Sequence, residues 1–176
     1  MISMPERREN DGLPGAALRF AIGECSLGAI LVAAAEAGIA AIMLGDEPDA
    51  VLGDFQRRFP EARASGDLAR TMERVIDFVE TPSRGLDVAL DMRGTEFERQ
   101  VWQALRAIPA GARASYRDIA GRIGAPQAAR AVAQACASNP TAVAVPCHRV
   151  VRSDGTLAGY RWGVERKRRL LAREAA

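Results

Sequence analysis

The chain has one histidine, one lysine and three cysteines in 176 residues. A zinc site built from Cys25, Cys136, Cys147 and His148 would lack any CxxC-like spacing, so no metal is expected. An odd number of widely separated cysteines makes no paired framework; it suits free thiols in a reducing, intracellular setting. No apolar run reaches the roughly 20 residues that cross a bilayer as a helix. The first residues carry Glu6, Arg7, Arg8, Glu9 and Asp11 and lack the apolar centre of a signal peptide. Residues 1–16 are expected to be a disordered lead.

What is present suits a packed protein. Apolar residues make up 48% of the chain, and the length allows one large domain or two small ones. The net charge of +2 conceals a split. Residues 1–94 hold ten arginines against sixteen acidic residues, whereas residues 95–176 hold fourteen basic residues against six acidic ones. A basic half points to a polyanion such as nucleic acid, or to no more than an arginine-rich solvated surface.

Three short apolar runs, Leu18–Ile22, Ala29–Ala33 and Ile39–Leu44, are separated by glycine-containing turns. They predict a small antiparallel sheet. Helices are predicted over 46–59, ended by Pro60, and over 68–79; residues 86–90 alternate like a strand that rejoins the sheet. The second half opens with a Thr95/Glu98 capping box and the stripe Phe97, Val101, Trp102, Leu105 and Ile108. A helix from Ser115, a Gly124-Ala125-Pro126 break and a helix over 127–138 read as a helix-turn-helix or an ordinary helical hairpin. The alanine-rich second helix has few side chains long enough for base edges. Arg130 either contacts a base stack or phosphate, or lies idle on the surface. A terminal helix is predicted over 164–174.

The sole histidine directly follows Cys147 in Pro146-Cys147-His148-Arg149-Val150. An imidazole can take a thiol proton, though adjacent side chains diverge along an extended chain and need a bridging water. The plainer alternative is a half-buried cysteine beside a solvated histidine. The loop Gly159-Tyr160-Arg161-Trp162-Gly163 is suited to walling a small pocket.

These residues resemble the O6-alkylguanine-DNA alkyltransferase family, most closely the C-terminal half of its bacterial adaptive-response members. The resemblance runs from about Leu18 to the end. It is carried by Phe97-Glu98-Arg99-Gln100-Val101-Trp102, Ser115-Tyr116, Arg130-Ala131-Val132, Asn139-Pro140, the PCHRVV run from Pro146, Gly155-Thr156-Leu157-Ala158-Gly159-Tyr160 and Leu170-Leu171-Ala172-Arg173-Glu174. It implies a ribonuclease H-like α/β domain over 17–92, with a small antiparallel sheet and helices, then a mostly α, winged-helix-like DNA-binding domain over 93–176. It implies irreversible transfer of one alkyl group from O6-alkylguanine, or O4-alkylthymine, to Cys147. His148 acts through water. Of two candidate acids, Glu165 and Glu174, the resemblance selects Glu174, which closes the L-L-x-x-E run. Tyr116 assists the departing guanine, Asn139 is a hinge, and Arg130 fills the gap left by a flipped nucleotide. Gln127, Ala128 and Ala129 meet the minor groove of duplex DNA, and Val150, Tyr160, Arg161 and Trp102 form the substrate pocket. The resemblance also implies a cytoplasmic, nucleoid-associated monomer with no cofactor and no membrane partner. Two rivals are a DNA-binding regulator with a silent Cys147 and a Cys-His-Glu hydrolase.

Overall fold

The computed structural model describes residues 17–176; the expected lead over 1–16 lies outside the described residues. Three antiparallel strands come first: β1 (Arg19–Cys25), β2 (Gly28–Ala35) and β3 (Gly38–Gly45). A short strand not expected from the sequence, β4 (Arg63–Ala64), pairs parallel with β1, so the sheet is mixed and runs β3-β2-β1-β4. The central strand β2 is buried on both faces, and its alternation divides the interior in two. Leu31 and Ala33 point to one side, against Val51, Phe55 and Phe59 of helix α1 (Pro48–Arg58) and its end. Ile30 and Val32 point to the other, against Met72, Val75 and Val79 of helix α2 (Ala69–Glu80). That second cluster continues unbroken into the rest of the chain, through Trp102, Leu105, Val132, Cys147 and Leu170.

Residues 86–90 do not form a strand. Only Leu90 bridges Ile39 at the β3 edge, with Ile39 donating to the Ala89 carbonyl at 2.9 Å. Farther along the same edge, Ile42 donates to the Pro140 carbonyl and Ala142 donates to the Ile42 carbonyl, each at 2.9 Å. A second segment thus occupies the edge that a longer strand would need.

The second half is helical. α3 (Glu96–Arg106) starts with the expected reciprocal Thr95/Glu98 capping box, and α4 (Tyr116–Arg122) with an equivalent Ser115/Asp118 box. Gly124, with φ +74°, turns the chain toward α5 (Ala129–Ser138). α5 begins two residues later than expected, so Gln127 and Ala128 precede the helix. Strand β5 (Ala114–Ser115) pairs in parallel with β6 (Val150–Val151), and α6 (Val164–Ala175) closes the chain.

Candidate active site

Cys147 begins a 3-10 turn, Cys147–Arg149, reached through two tight turns. Ala144 donates to the Ala142 carbonyl at 2.7 Å, which puts the intervening Val143 at φ +62°. A β-branched residue there carries strain of about 1–3 kcal/mol, and the edge pairing of Thr141 and Ala142 on β3 holds it. Pro146 then sits at φ −80° and ψ 62°, with Cys147 donating to the Val145 carbonyl at 2.8 Å, an inverse γ-turn. Asn139, fully buried at the end of α5, ties these turns together. Its amide nitrogen donates to the Val145 carbonyl at 2.9 Å and to the Cys147 sulfur at 3.3 Å, while its oxygen accepts from the Thr141 amide at 2.9 Å.

The 3-10 turn gives the Cys-His neighbours different surroundings. His148 is buried and aims Nε2 at Glu174 Oε1, 2.8 Å away. Glu174 also accepts from Arg149 Nε at 3.0 Å and Nη2 at 2.7 Å, and Arg149 is held in turn by the Ile108 carbonyl. Burial raises the Glu174 carboxyl, but the hydrogen bonds and charges of His148 and Arg149 outweigh it and bring the pKa down to about 2. Burial also pushes His148 below the ordinary imidazole value. A neutral ring beside an ionised carboxylate places its proton on Nε2, which leaves Nδ1 as an acceptor. Nδ1 is buried and has no partner among the described residues.

Cys147 is 5% exposed, and burial pushes its thiol above the ordinary value. The Asn139 hydrogen bond and the charge of Lys167 oppose that shift. Cys147 is not sealed in apolar packing. It lines a cavity of about 350 Å³ together with Tyr116, Ala133, Cys136, Tyr160 and Arg161. Burial keeps Tyr116 a protonated phenol, with its pKa raised to about 12. The β5–β6 ladder, pairing Ser115 with Val151, sets Tyr116 opposite the cysteine turn.

Other expected site residues fall as follows. Tyr160 and Arg161 line the cavity, and Tyr160 stacks edge-on against Trp162 at 5.3 Å. Arg130 is exposed in the first turn of α5, beside Ala129; Gln127 is exposed and Ala128 half-buried just before it. Trp102 is not part of the pocket. It is 1% exposed, and its indole nitrogen donates to the Ala135 carbonyl at 2.8 Å, so its bulk fixes α5 from behind. Val150 is fully buried and its carbonyl already accepts from Lys167 Nζ at 2.5 Å. Glu165 is exposed and pairs with Arg168, far from the histidine contact that Glu174 makes. Sequence reasoning missed Arg149, Cys136 and Lys167. The spacing Lys167, Leu170, Leu171, Glu174 marks one inward face of α6 and was a signal for the lysine.

Residues 96–176 match the family model described as 6-O-methylguanine DNA methyltransferase, DNA binding domain. The chain is 48% identical over 177 residues to the bifunctional transcriptional activator/DNA repair enzyme Ada of Escherichia coli, covering 99% of this chain and 50% of that protein. It is 56% identical over 88 residues to the methylated-DNA–protein-cysteine methyltransferase of Mycobacterium tuberculosis, covering 50% of this chain and 53% of that one. The chain therefore spans about half the length of the curated relatives it matches. The crystal structure of Mycobacterium tuberculosis OGT in complex with DNA superposes with a TM-score of 0.74 at 32% identity, covering 89% of this chain and 92% of that one. The O6-methylguanine methyltransferase structure from the same organism gives 0.72 at 34% identity, covering 90% and 93%. With that identity sustained across nearly all of a solved relative, the chain belongs to the O6-methylguanine-DNA methyltransferase family.

Proposed function

We propose that this protein repairs O6-alkylguanine in duplex DNA by moving the alkyl group onto Cys147. The observation that carries the reading is the cavity that Cys147 and Tyr116 both line. Its volume of about 350 Å³ falls in the range of small-ligand sites. The reacting carbon of an alkylated guanine lies inside the stack, so the nucleotide must turn out, at a cost of a few kcal/mol. Arg130, exposed in the first turn of α5, takes the vacated space, and Gln127, Ala128 and Ala129 approach the minor groove.

Cys147 loses its proton through water to His148 Nδ1, and Glu174 stabilises the resulting imidazolium. The thiolate attacks the alkyl carbon, a carbon–sulfur bond forms, and the carbon–O6 bond breaks with its electron pair left on guanine. Guanine is a poor leaving anion, and the Tyr116 hydroxyl donates to it as charge develops. The thioether has no easy hydrolytic exit, so each molecule acts once. O4-alkylthymine presents the same bond and is a second substrate in this reading. Asn139 acts as the hinge residue between α5 and the cysteine turn. The same reading divides the chain into a ribonuclease H-like scaffold over 17–92 and a winged-helix-like reactive domain over 93–176. It makes the protein a cytoplasmic, nucleoid-associated monomer.

The test is the mass of the protein after incubation with a duplex containing O6-methylguanine. Addition of one methyl, located on Cys147 and absent from Cys147→Ser, supports the proposal. Binding without a mass change makes it a lesion binder, and repeated turnover makes it a hydrolase; either result defeats self-alkylation.

A further inference from the structure

Helix α1 belongs to the acidic half of the chain, yet its last turn sends a cation across to the reactive cavity. Arg58 Nη1 donates to the carbonyl of Ser138, the last residue of α5, at 2.6 Å. Arg161, in the pocket loop, reaches the neighbouring Ala137 carbonyl at 3.4 Å. Each guanidinium lies over the ring of the residue that follows it, Arg58 over Phe59 at 5.7 Å and Arg161 over Trp162 at 5.8 Å. Such seating holds a flat cation in one place and leaves the N–H groups at its edge to donate. Ala137 and Arg161 both line the cavity that Cys147 lines, and Arg161 is exposed, so the two arginines meet at its mouth.

The protein does not match their charge. Neither arginine forms an ion pair with a carboxylate among the described residues. The end of α5 offers about half a negative charge against two full positive ones. Glu98 is the acid whose charge reaches Arg58, but both its oxygens are engaged, Oε2 by the Thr95 amide and Oε1 by the Ser138 hydroxyl, each at 2.8 Å. Burial, and then the like charge of Arg161, push Arg58 below the ordinary arginine value. A guanidinium does not shed its proton in response, so what relieves the pair is an anion from outside. Two such planar donors side by side suit a phosphate, whose oxygens can accept from both. A nucleotide turned into the cavity brings a phosphate to its mouth.

We propose that Arg58 and Arg161 form a phosphate clamp at the mouth of the Cys147 cavity, holding the backbone of the DNA strand whose nucleotide enters it. The clamp rests on the reading of this cavity as a site for an extruded nucleotide. It gives the first half of the chain a direct part in binding DNA.

Fluorescence anisotropy with a duplex carrying O6-methylguanine tests it, in a Cys147→Ser background that offers no acceptor for the methyl group. Affinity is measured over a range of salt concentrations. Losing one phosphate contact lowers the slope of log K against log salt by about 0.9. Arg58→Gln and Arg161→Gln should each lower it by that amount and weaken binding roughly tenfold. Arg58→Lys keeps the charge and should keep the slope. Arg57→Gln alters the exposed neighbour that pairs with Asp54, and should change neither slope nor affinity. An undamaged duplex, whose nucleotides stay stacked, should respond less than the damaged one. With Cys147 restored, Arg58→Gln should require more duplex for half-maximal transfer, while reaction with free O6-methylguanine base, which has no phosphate, stays at the wild-type rate. An unchanged slope in Arg58→Gln overturns the clamp. So does a loss in Arg58→Lys matching that in Arg58→Gln, an equal fall in Arg57→Gln or on undamaged duplex, or an equal slowing with the free base. A slope that falls as expected, in a protein whose Cys147 never takes the methyl group, defeats the repair reading and leaves the clamp standing. Normal transfer with an unchanged slope defeats the clamp alone.

Discussion

Replacing Glu174 with glutamine keeps the shape of the side chain and removes its charge. The carboxylate is 2% exposed and serves a buried histidine and a buried arginine at once. Its pKa is lowered from 4.5 to about 2, and that difference corresponds to about 3 kcal/mol of folding stability at neutral pH. The loss matches the cost of leaving a buried guanidinium without its partner. For a chain of this size the unfolding temperature at pH 7 should fall by roughly 6–12 °C. The pH dependence tests the cause. Because the folded carboxyl is depressed, its contribution is complete above pH 4.5 and disappears as pH falls from there toward 2. The gap between wild type and Glu174→Gln should therefore be widest at neutral pH and close on acidification. The amide also cannot stabilise an imidazolium, so single-turnover methyl transfer should slow at least about tenfold. Glu165→Gln removes an exposed carboxylate paired only with Arg168, and should change stability by less than about 1 kcal/mol. Melting curves at several pH values, with quenched-flow transfer rates, decide the matter. A Glu174→Gln curve parallel to the wild type at every pH, or an equal loss in Glu165→Gln, would refute the reasoning.

Trp102→Ala should cost about 3–5 kcal/mol in denaturant unfolding, because a fully buried indole leaves a cavity behind α5; a pocket role would instead alter substrate selectivity with little change in stability. Asn139→Ala leaves the Thr141 amide without its buried acceptor and takes from the Val145 carbonyl one of its two donors, and should destabilise by about 1–3 kcal/mol while raising the pH midpoint of Cys147 alkylation. An unchanged midpoint would count against the sulfur contact. Arg130→Ala should slow transfer from duplex DNA much more than reaction with free O6-methylguanine base, since only the duplex requires extrusion; equal losses on both would remove Arg130 from the extrusion step.

Local rules were enough for much of the architecture. Apolar runs and glycine turns located β1 to β3, and the capping residues Thr95 and Ser115 marked the starts of α3 and α4, because caps and short-range alternation depend on near neighbours. Failures came where distant parts of the chain compete. Residues 86–90 have a strand's pattern, but the β3 edge also takes Pro140 and Ala142, leaving Leu90 a single bridge. β4 is two residues long, and only its partner β1 makes it a strand.

The candidate site divides in the same way. The sequence by itself determined which residues carry the chemistry: one histidine after one cysteine, and a terminal run ending in Glu174. It could not determine surroundings. The fold alone put Asn139 on the sulfur, Arg149 on Glu174, Trp102 in the core and the only lysine in the interior. Burial and charge pairing depend on segments far apart in the chain, and these decide whether a thiol, an imidazole or an ammonium holds its proton.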